Sequence, residues 1–406
     1  MLSPKSAETV RATLPVVAAA IGDITPLFYD RLFADRPALL RDLFNRANQA
    51  NGSQRQALAG SVAAFAGHLL EHPDELPDAL LTRIAHKHAS LGIREDQYPL
   101  VHTHLFATFA DVLGEALTEE VTAAWDEVYW LMAHGLIAAE RQLYAAAGAP
   151  DGRTWRTYRV AGRVRETDDV VTFLLRPLDG TEPPAARPGQ YVSVQVELPD
   201  GARQIRQYSL TGQPDGALRF AVKRIPGGPD GDPAGEVSGF LHDHVHEGDQ
   251  LRASAPFGAV VLDDSERPLL FATAGIGCTP AIGMLTHLAA TNSRRRIIAA
   301  HADRTPDSHP YRAELQHLIG RLAHAEAAVW YERPDDGTTA TDHTQAGGPV
   351  VHPGLMDLTR LRIPSGTVAH LCGPVPFMRS VRSQLLASGV RAGDIHHEVF
   401  GPDQGL

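Results

Sequence analysis

A chain of 406 residues is long enough for roughly two to four domains with substantial cores. Its net charge of −11 argues against nucleic acid as a partner, because phosphate binding needs a basic face. Cys278 and Cys372 are the only cysteines, which excludes a disulfide framework, a cysteine zinc site and an iron–sulfur cluster and suits a reducing cytoplasm.

The first ten residues, MLSPKSAETV, lack the basic start and apolar run of a signal peptide, and no uninterrupted apolar stretch approaches the ~18 residues of a membrane span. Residues 1–145 carry helical periodicity, with breaks at Pro37, at Asn51-Gly52 and from His72-Pro73 to Pro77. The small, Gly/Pro-rich segment from Ala145 to Gly152 reads as a linker. Short β-rich runs follow at 159–165, 170–176, 191–197, 205–210 and 218–224. Asp-Gly turns at 179, 200 and 215 separate several of them, so a small antiparallel barrel is expected. A low-complexity loop occupies 226–235. From Pro268, candidate strands at 269–273, 296–301, 328–332 and 368–372 alternate with helical stretches, the pattern of a parallel sheet.

In the helical part, Leu81, Ile84, His88 and Leu91 follow helical spacing, so His88 lies on an apolar stripe; His86 falls about 200° away. Gln54 heads a second stripe with Leu58, Ser61 and Phe65. Tyr29 lies in the aromatic run from Leu27 to Phe33, and Glu140 shares a stripe with Met132, Leu136 and Leu143. Taken singly, His88 reads as a core histidine, and Tyr29 and Gln54 as partly buried polar residues. Together, a histidine facing a tyrosine and a glutamine across a cavity suits a haem with a gas ligand.

Two runs carry chemistry downstream. Arg206-Gln207-Tyr208-Ser209 offers a guanidinium, a flat ring and a hydroxyl on one short strand. Those groups can grip a flavin's phosphate, cover its ring and hydrogen-bond its reactive nitrogen. Gly275-Ile276-Gly277-Cys278-Thr279-Pro280 opens a helix after an apolar strand, as a dinucleotide pyrophosphate requires. Its spacing differs from the Rossmann fingerprint, so alone it is a weak signal. The alternating His242, His244 and His246 fall in a helix-like run, 240–247, where they would not converge on a metal.

On these residues the chain resembles the flavohaemoglobins over essentially its full length. The helical resemblance lies in Phe28-Tyr29-Asp-Arg-Leu-Phe33, Leu43-Phe44-Asn45-Arg-Ala-Asn-Gln49 and Ile84-Ala-His-Lys-His88. The resemblance implies His88 as the proximal haem ligand, supported by Tyr98 and Glu140, with Tyr29 and Gln54 in the distal pocket and Phe44 against the haem plane. Lys87 matches a position that tunes the haem and flavin potentials, and His86 stands where the family commonly has glutamine. In the reductase part, Pro188-Gly-Gln-Tyr191 resembles the strand whose tyrosine touches the flavin. Gly235-Glu236-Val237-Ser238 matches a second phosphate-contacting turn. The run from Leu371 to Met378 is similar to the turn on the nicotinamide side. Glu398-Val399-Phe400-Gly401-Pro402 is similar to the segment covering the flavin, with Phe400 as ring neighbour and Glu398 as the potential-tuning acid.

The resemblance implies three domains. These are an all-α globin domain (1–145) with haem b, an antiparallel β-barrel FAD domain (153–263), and an α/β parallel-sheet NAD(P)H domain (267–406) of ferredoxin-reductase type. It further implies oxidation of nitric oxide to nitrate with O2 by a cytoplasmic monomer that handles small molecules and does not insert into membranes. Two other functions remain open on the residues alone: reduction of peroxides, quinones or ferric complexes, and oxygen binding or sensing by a globin that its reductase keeps ferrous. NADH and NADPH are not distinguished.

Overall fold

The computed structural model describes residues 1–46, 53–228, 233–333 and 348–401, with backbone alone for 53–59. Helix α1 (Pro4–Asp35) starts where Ser3 caps it, the Ser3 Oγ accepting from the Ser6 amide, with Pro4 in the first turn. It stops at Asp35, because Pro37 keeps Arg36 out of the helical region and begins α2 (Pro37–Asp42) itself. Four longer helices follow: α3 (Ser53–Glu71), α4 (Asp78–Leu91), α5 (Tyr98–Leu113) and α6 (Glu119–Ala146). Gly92 ends α4 in the left-handed conformation at φ 78°, and its N–H closes onto the last carbonyls.

The helices bury one core: Val10, Val17, Ile24, Phe28, Tyr29 and Leu32 from α1, with Phe65, Leu69, Leu81, Phe109, Trp125 and Val128. By length and composition α1 is apolar enough to cross a membrane, a property the broken apolar runs of the sequence did not suggest; its buried face packs in this helical core. Just beyond the expected linker the chain is tied down. Thr154 Oγ1 donates to the Ala89 carbonyl (3.2 Å) and Trp155 Nε1 to the Leu91 carbonyl (3.1 Å), both at the end of α4.

Six strands close the barrel in the order β1-β2-β5-β4-β3-β6: β1 (Trp155–Arg165), β2 (Val170–Pro177), β3 (Tyr191–Glu197), β4 (Arg203–Gly212), β5 (Leu218–Lys223) and β6 (Gln250–Ser254). Five were expected. β6 was missed because its five residues carry a charge and no turn signal. Helix α7 (Glu236–His244) follows the long loop.

The last part is a parallel sheet in the order β10-β9-β8-β7-β11-β12. Its strands are β7 (Leu269–Ala274), β8 (Ile297–Asp303), β9 (Ala325–Tyr331), β10 (Val350–Pro353), β11 (Val368–Cys372) and β12 (Ile395–Glu398). The helices α8 (Cys278–Ala290), α9 (Arg312–Arg321) and α10 (Val375–Ala387) connect or flank them. The four-residue edge strands β10 and β12 were not foreseen. Strand order reverses between β7 and β11, and the crevice at such a switch point is where open α/β sheets bind ligands. The chain divides into two compact units, Met1–Arg156 with Gln195–Arg206, and Thr157–Val194 with Gln207–Gly401.

Candidate functional site

The helical site is organised by a buried carboxylate. Glu140 on α6 is 2% exposed, and one of its oxygens, Oε1, accepts twice. Tyr98 OH donates to it at 2.6 Å and His88 Nδ1 at 2.8 Å, with Nδ1 and the phenol oxygen 3.2 Å apart. Burial first, and then the charge of Glu140, push the Tyr98 phenol far above its ordinary pKa, so it stays a protonated donor. With the carboxylate as acceptor, Nδ1 of His88 carries the proton, and Nε2 keeps the lone pair a metal needs. His86 lies half-buried on the same helix. The most buried line of α4 runs through Leu81, Ala85 and Ala89. Ile84, His88 and Leu91 border it, so the apolar stripe inferred from spacing is displaced by about one position.

Tyr29 is 3% exposed, and its ring is cornered by Phe28 (centroids 5.0 Å), Phe33 (5.5 Å, stacked) and Phe44 (5.7 Å, edge-on). The structure thus brings Tyr29 and Phe44 into one aromatic cluster. Gln54 lies on α3, but its side chain falls outside the described residues. Lys87 is exposed on α4.

Arg206, Gln207, Tyr208 and Ser209 follow one another on β4. Arg206 Nη1 donates to the Ile205 carbonyl (2.8 Å), and Gln207 Nε2 to Ser193 Oγ (2.9 Å). The Tyr208 ring stacks on Phe220 at 5.3 Å. Ser209 is 4% exposed, and its Oγ has no hydrogen-bond partner among the described residues. A buried hydroxyl left unpaired is costly, and a ligand acceptor or donor at that point would satisfy it. Tyr191 pairs with Phe257 through two backbone bonds, 2.7 and 2.9 Å, and its ring lies over Gly258.

Gly235 caps α7, and its amide donates to Ile225 O (3.0 Å). Within that turn Ser238 Oγ donates to Gly235 O at 3.0 Å and accepts from the Ile225 amide at 3.2 Å, and Val237 is buried. Glu236 opens the helix. Along the rest of α7 the histidines do not converge. His242 bonds the Val222 carbonyl (2.9 Å), whereas His246 lies beyond the helix beside Asp249 (3.9 Å).

At the switch point, Gly275 takes φ 53° and starts a tight turn through Ile276 and Gly277 into α8. Gly277 also has a reason within the fold. A methyl there would overlap the backbone of Cys372-Gly373, so the glycine is needed for the fold of the crevice before any pyrophosphate arrives. Cys278, Thr279 and Pro280 are buried, and Thr279 Oγ1 donates to Ile276 O (3.0 Å). These three therefore build the turn, and the polar groups available above it are backbone amides. Glu398 ends β12 in register with Cys372 of β11. Beyond it lie the half-buried Val399, Phe400 (49% exposed) and Gly401 at φ 147°; Pro402 is outside the described residues. The sequence reading did not single out Gly283, Thr211, Arg219 or Tyr311, which join α8 and α9 to the barrel. A glycine inside a predicted helix was the one available signal.

Comparison with known proteins agrees with this architecture. A globin family model matches residues 27–136, and an oxidoreductase NAD-binding domain model matches residues 271–383. The chain is 41% identical to the flavohemoprotein of Bordetella parapertussis, with 99% of both chains covered. It is 39% identical to that of Chromobacterium violaceum over the whole of both. Among solved structures, the flavohemoglobin of Malassezia yamatoensis with bound FAD and heme superposes with a TM-score of 0.88 at 35% identity, covering 98% of this chain and all of that one. The FAD/NAD-binding domain of nitric oxide dioxygenase from Vibrio cholerae matches at TM-score 0.55 and 35% identity, covering 62% of this chain and all of that one. With helices that pair a histidine to a buried glutamate and tyrosine, a six-stranded barrel, a parallel sheet and full-length relatives, the chain belongs to the flavohaemoprotein family.

Proposed function

We propose that this chain is a nitric oxide dioxygenase, oxidising nitric oxide to nitrate with O2 at a haem that draws electrons from NAD(P)H through FAD. The observation that carries the reading is the His88–Glu140–Tyr98 arrangement. A carboxylate accepting from Nδ1 gives the imidazole anionic character and makes Nε2 a strong donor, which favours oxygen activation over reversible storage. That chemistry weighs against the oxygen-storage reading.

The donor sets fit the groups proposed. His88 Nε2 would ligate the haem iron, Phe44 would lie against its plane and Lys87 near its edge, and Tyr29 with Gln54 would complete the pocket. Arg206 and the turn at Gly235, through the amides of Glu236–Ser238, would hold the FAD phosphates, Tyr191, Tyr208, Gln207 and Phe400 would flank the flavin, and Ser209 Oγ would reach its N5. The backbone of the Gly275–Gly277 turn, shaped by Cys278, Thr279 and Pro280, would take the dinucleotide pyrophosphate at the start of α8. When bound, the flavin accepts a hydride and releases single electrons to iron. Glu398, on the strand next to Cys372, and Val399–Pro402 would border the flavin.

These assignments correspond to three functional segments, 1–145, 153–263 and 267–406. Cys278 and Cys372 are free, buried thiols, which supports a cytoplasmic location. We further infer a monomer in which α1 serves as a core helix. His88→Ala is expected to purify without haem, to retain FAD and to lose NADH-dependent nitric oxide consumption, measured with a nitric oxide electrode. If His86→Ala loses the haem instead, the axial assignment is wrong.

A further inference from the structure

With flavin on β4 and the dinucleotide on the turn that opens α8, a hydride must cross from nicotinamide C4 to flavin N5. It carries two electrons and one proton, so the nucleotide is oxidised and the flavin reduced. Such a transfer depends steeply on distance, and whatever spaces β4 from α8 sets its rate. At Gly283 no side chain separates the two backbones. A methyl built on Gly283 would overlap the carbonyl oxygen of Leu210, the residue after Ser209, and lie 3.4 Å from its carbon and 3.6 Å from Thr211 Cα. Glycine inside a helix is unfavourable. Elsewhere in helices, Gly22, Gly67, Gly239 and Gly320 have open space at the same position, so Gly283 is distinguished by backbone-to-backbone contact.

The contact continues along α8. The Met284 methyl occupies the hollow over Gly189, which takes φ 103° two residues before Tyr191. Thr286 approaches Gly212 at the end of β4. A second tie holds the same place from the other side. Tyr311, in the left-handed region at φ 60°, brings its hydroxyl to 2.5 Å from Thr172 Oγ1. Thr172 donates in turn to Glu166 (2.8 Å). Arg219 lies over the Tyr311 ring at 5.9 Å, pairs with Glu314 of α9 at 2.5 Å and donates to the Thr211 carbonyl at 2.8 Å.

We propose that Gly283 is the positioning residue for hydride transfer, its bare Cα setting the spacing of nicotinamide and flavin, with Tyr311 locking that spacing. The proposal rests on the assignment of flavin to Arg206–Ser209 and of the dinucleotide to Gly275–Pro280. The test uses full-length protein carrying haem and FAD. Gly283→Ala should keep the parent's FAD content and bind NAD+ within about twofold of the parent by calorimetry. Its anaerobic flavin reduction at saturating NADH should slow ~10-fold or more, and the long-wavelength charge-transfer absorbance with nucleotide should weaken. A rate less than about threefold below the parent's would overturn the proposal. If Gly283→Ala does not fold, Tyr311→Phe decides by the same threshold, since it removes one hydroxyl and leaves the ring. A parent that lacks FAD, or whose FAD is not reduced by NADH, would instead overturn the cofactor assignment and the proposal with it.

Discussion

At the scale of single residues, rigidity explains why Tyr29 should dominate the distal side. Three aromatic rings corner its ring, so its hydroxyl has one place to be. A glutamine must fix three torsions to reach the same point. Tyr29→Phe is therefore expected to speed oxygen dissociation by roughly five- to thirtyfold, the worth of one hydrogen bond of ~1–2 kcal/mol. Laser-flash or stopped-flow release gives the rate directly, and a variant that releases oxygen at the parent rate makes Tyr29 a packing residue. The sequence made His88, Tyr98 and Glu140 legible as types and positions, but not their shared oxygen. Nothing in spacing says that Tyr98 and His88 converge on Glu140 Oε1, because the three lie on different helices. Gly277 was legible as a glycine with a purpose, but not that it must also admit the backbone of Cys372, remote in the chain.

At the scale of elements, β4 and β11 show how one strand can serve both fold and function. On β4 the residues proposed to contact flavin, Arg206 to Ser209, follow one another, half-buried to buried, with Arg206 donating to the Ile205 carbonyl. Charge-assisted bonds to phosphate are worth ~1.5–3 kcal/mol each, so Arg206→Ala should weaken FAD binding by roughly ten- to a hundredfold. It should purify flavin-poor with an unchanged haem spectrum; full flavin occupancy would place the phosphate elsewhere.

On β11, His370 is buried with no hydrogen-bond partner among the described residues for either ring nitrogen, stacked on Phe271 and near His396, with Asp263 and Arg295 the charged groups acting on it. Burial, and then His396, lower its pKa from 6.5 to about 4. As pH falls below 6.5, the unfolded chain takes up a proton that the folded chain refuses, so stability drops until about pH 4. Denaturant titrations at pH 7.5 and 5 should show His370→Leu losing less stability than the parent, by on the order of 1–2 kcal/mol. Equal losses would mean that His370 does not control this slope. The strands that sequence reading missed, β6, β10 and β12, are only four or five residues long, too short for a pattern to stand out, and their pairing partners define them.

At the scale of the whole molecule, three regimes of composition announced the architecture. Helical periodicity, then short β-rich runs between Asp-Gly turns, then alternating strands and helices, each demand a different way of burying apolar surface. What composition could not show is how tightly the later parts are joined: the parallel sheet and most of the barrel form one unit, through Gly283 and the Tyr311–Arg219 cluster. A family resemblance supplied nitric oxide as substrate, since histidine, flavin strand and nucleotide turn imply only electron flow to a haem.

The central claim is that this flow ends in nitrate. Nitric oxide and O2 together need one electron to become nitrate, and each NADH gives two. Quantifying nitrate against NADH consumed, with both gases supplied to the purified protein, should therefore give about two nitrate ions per NADH. NADH consumption that continues without nitrate, or that proceeds unchanged when nitric oxide is withheld, would contradict the account.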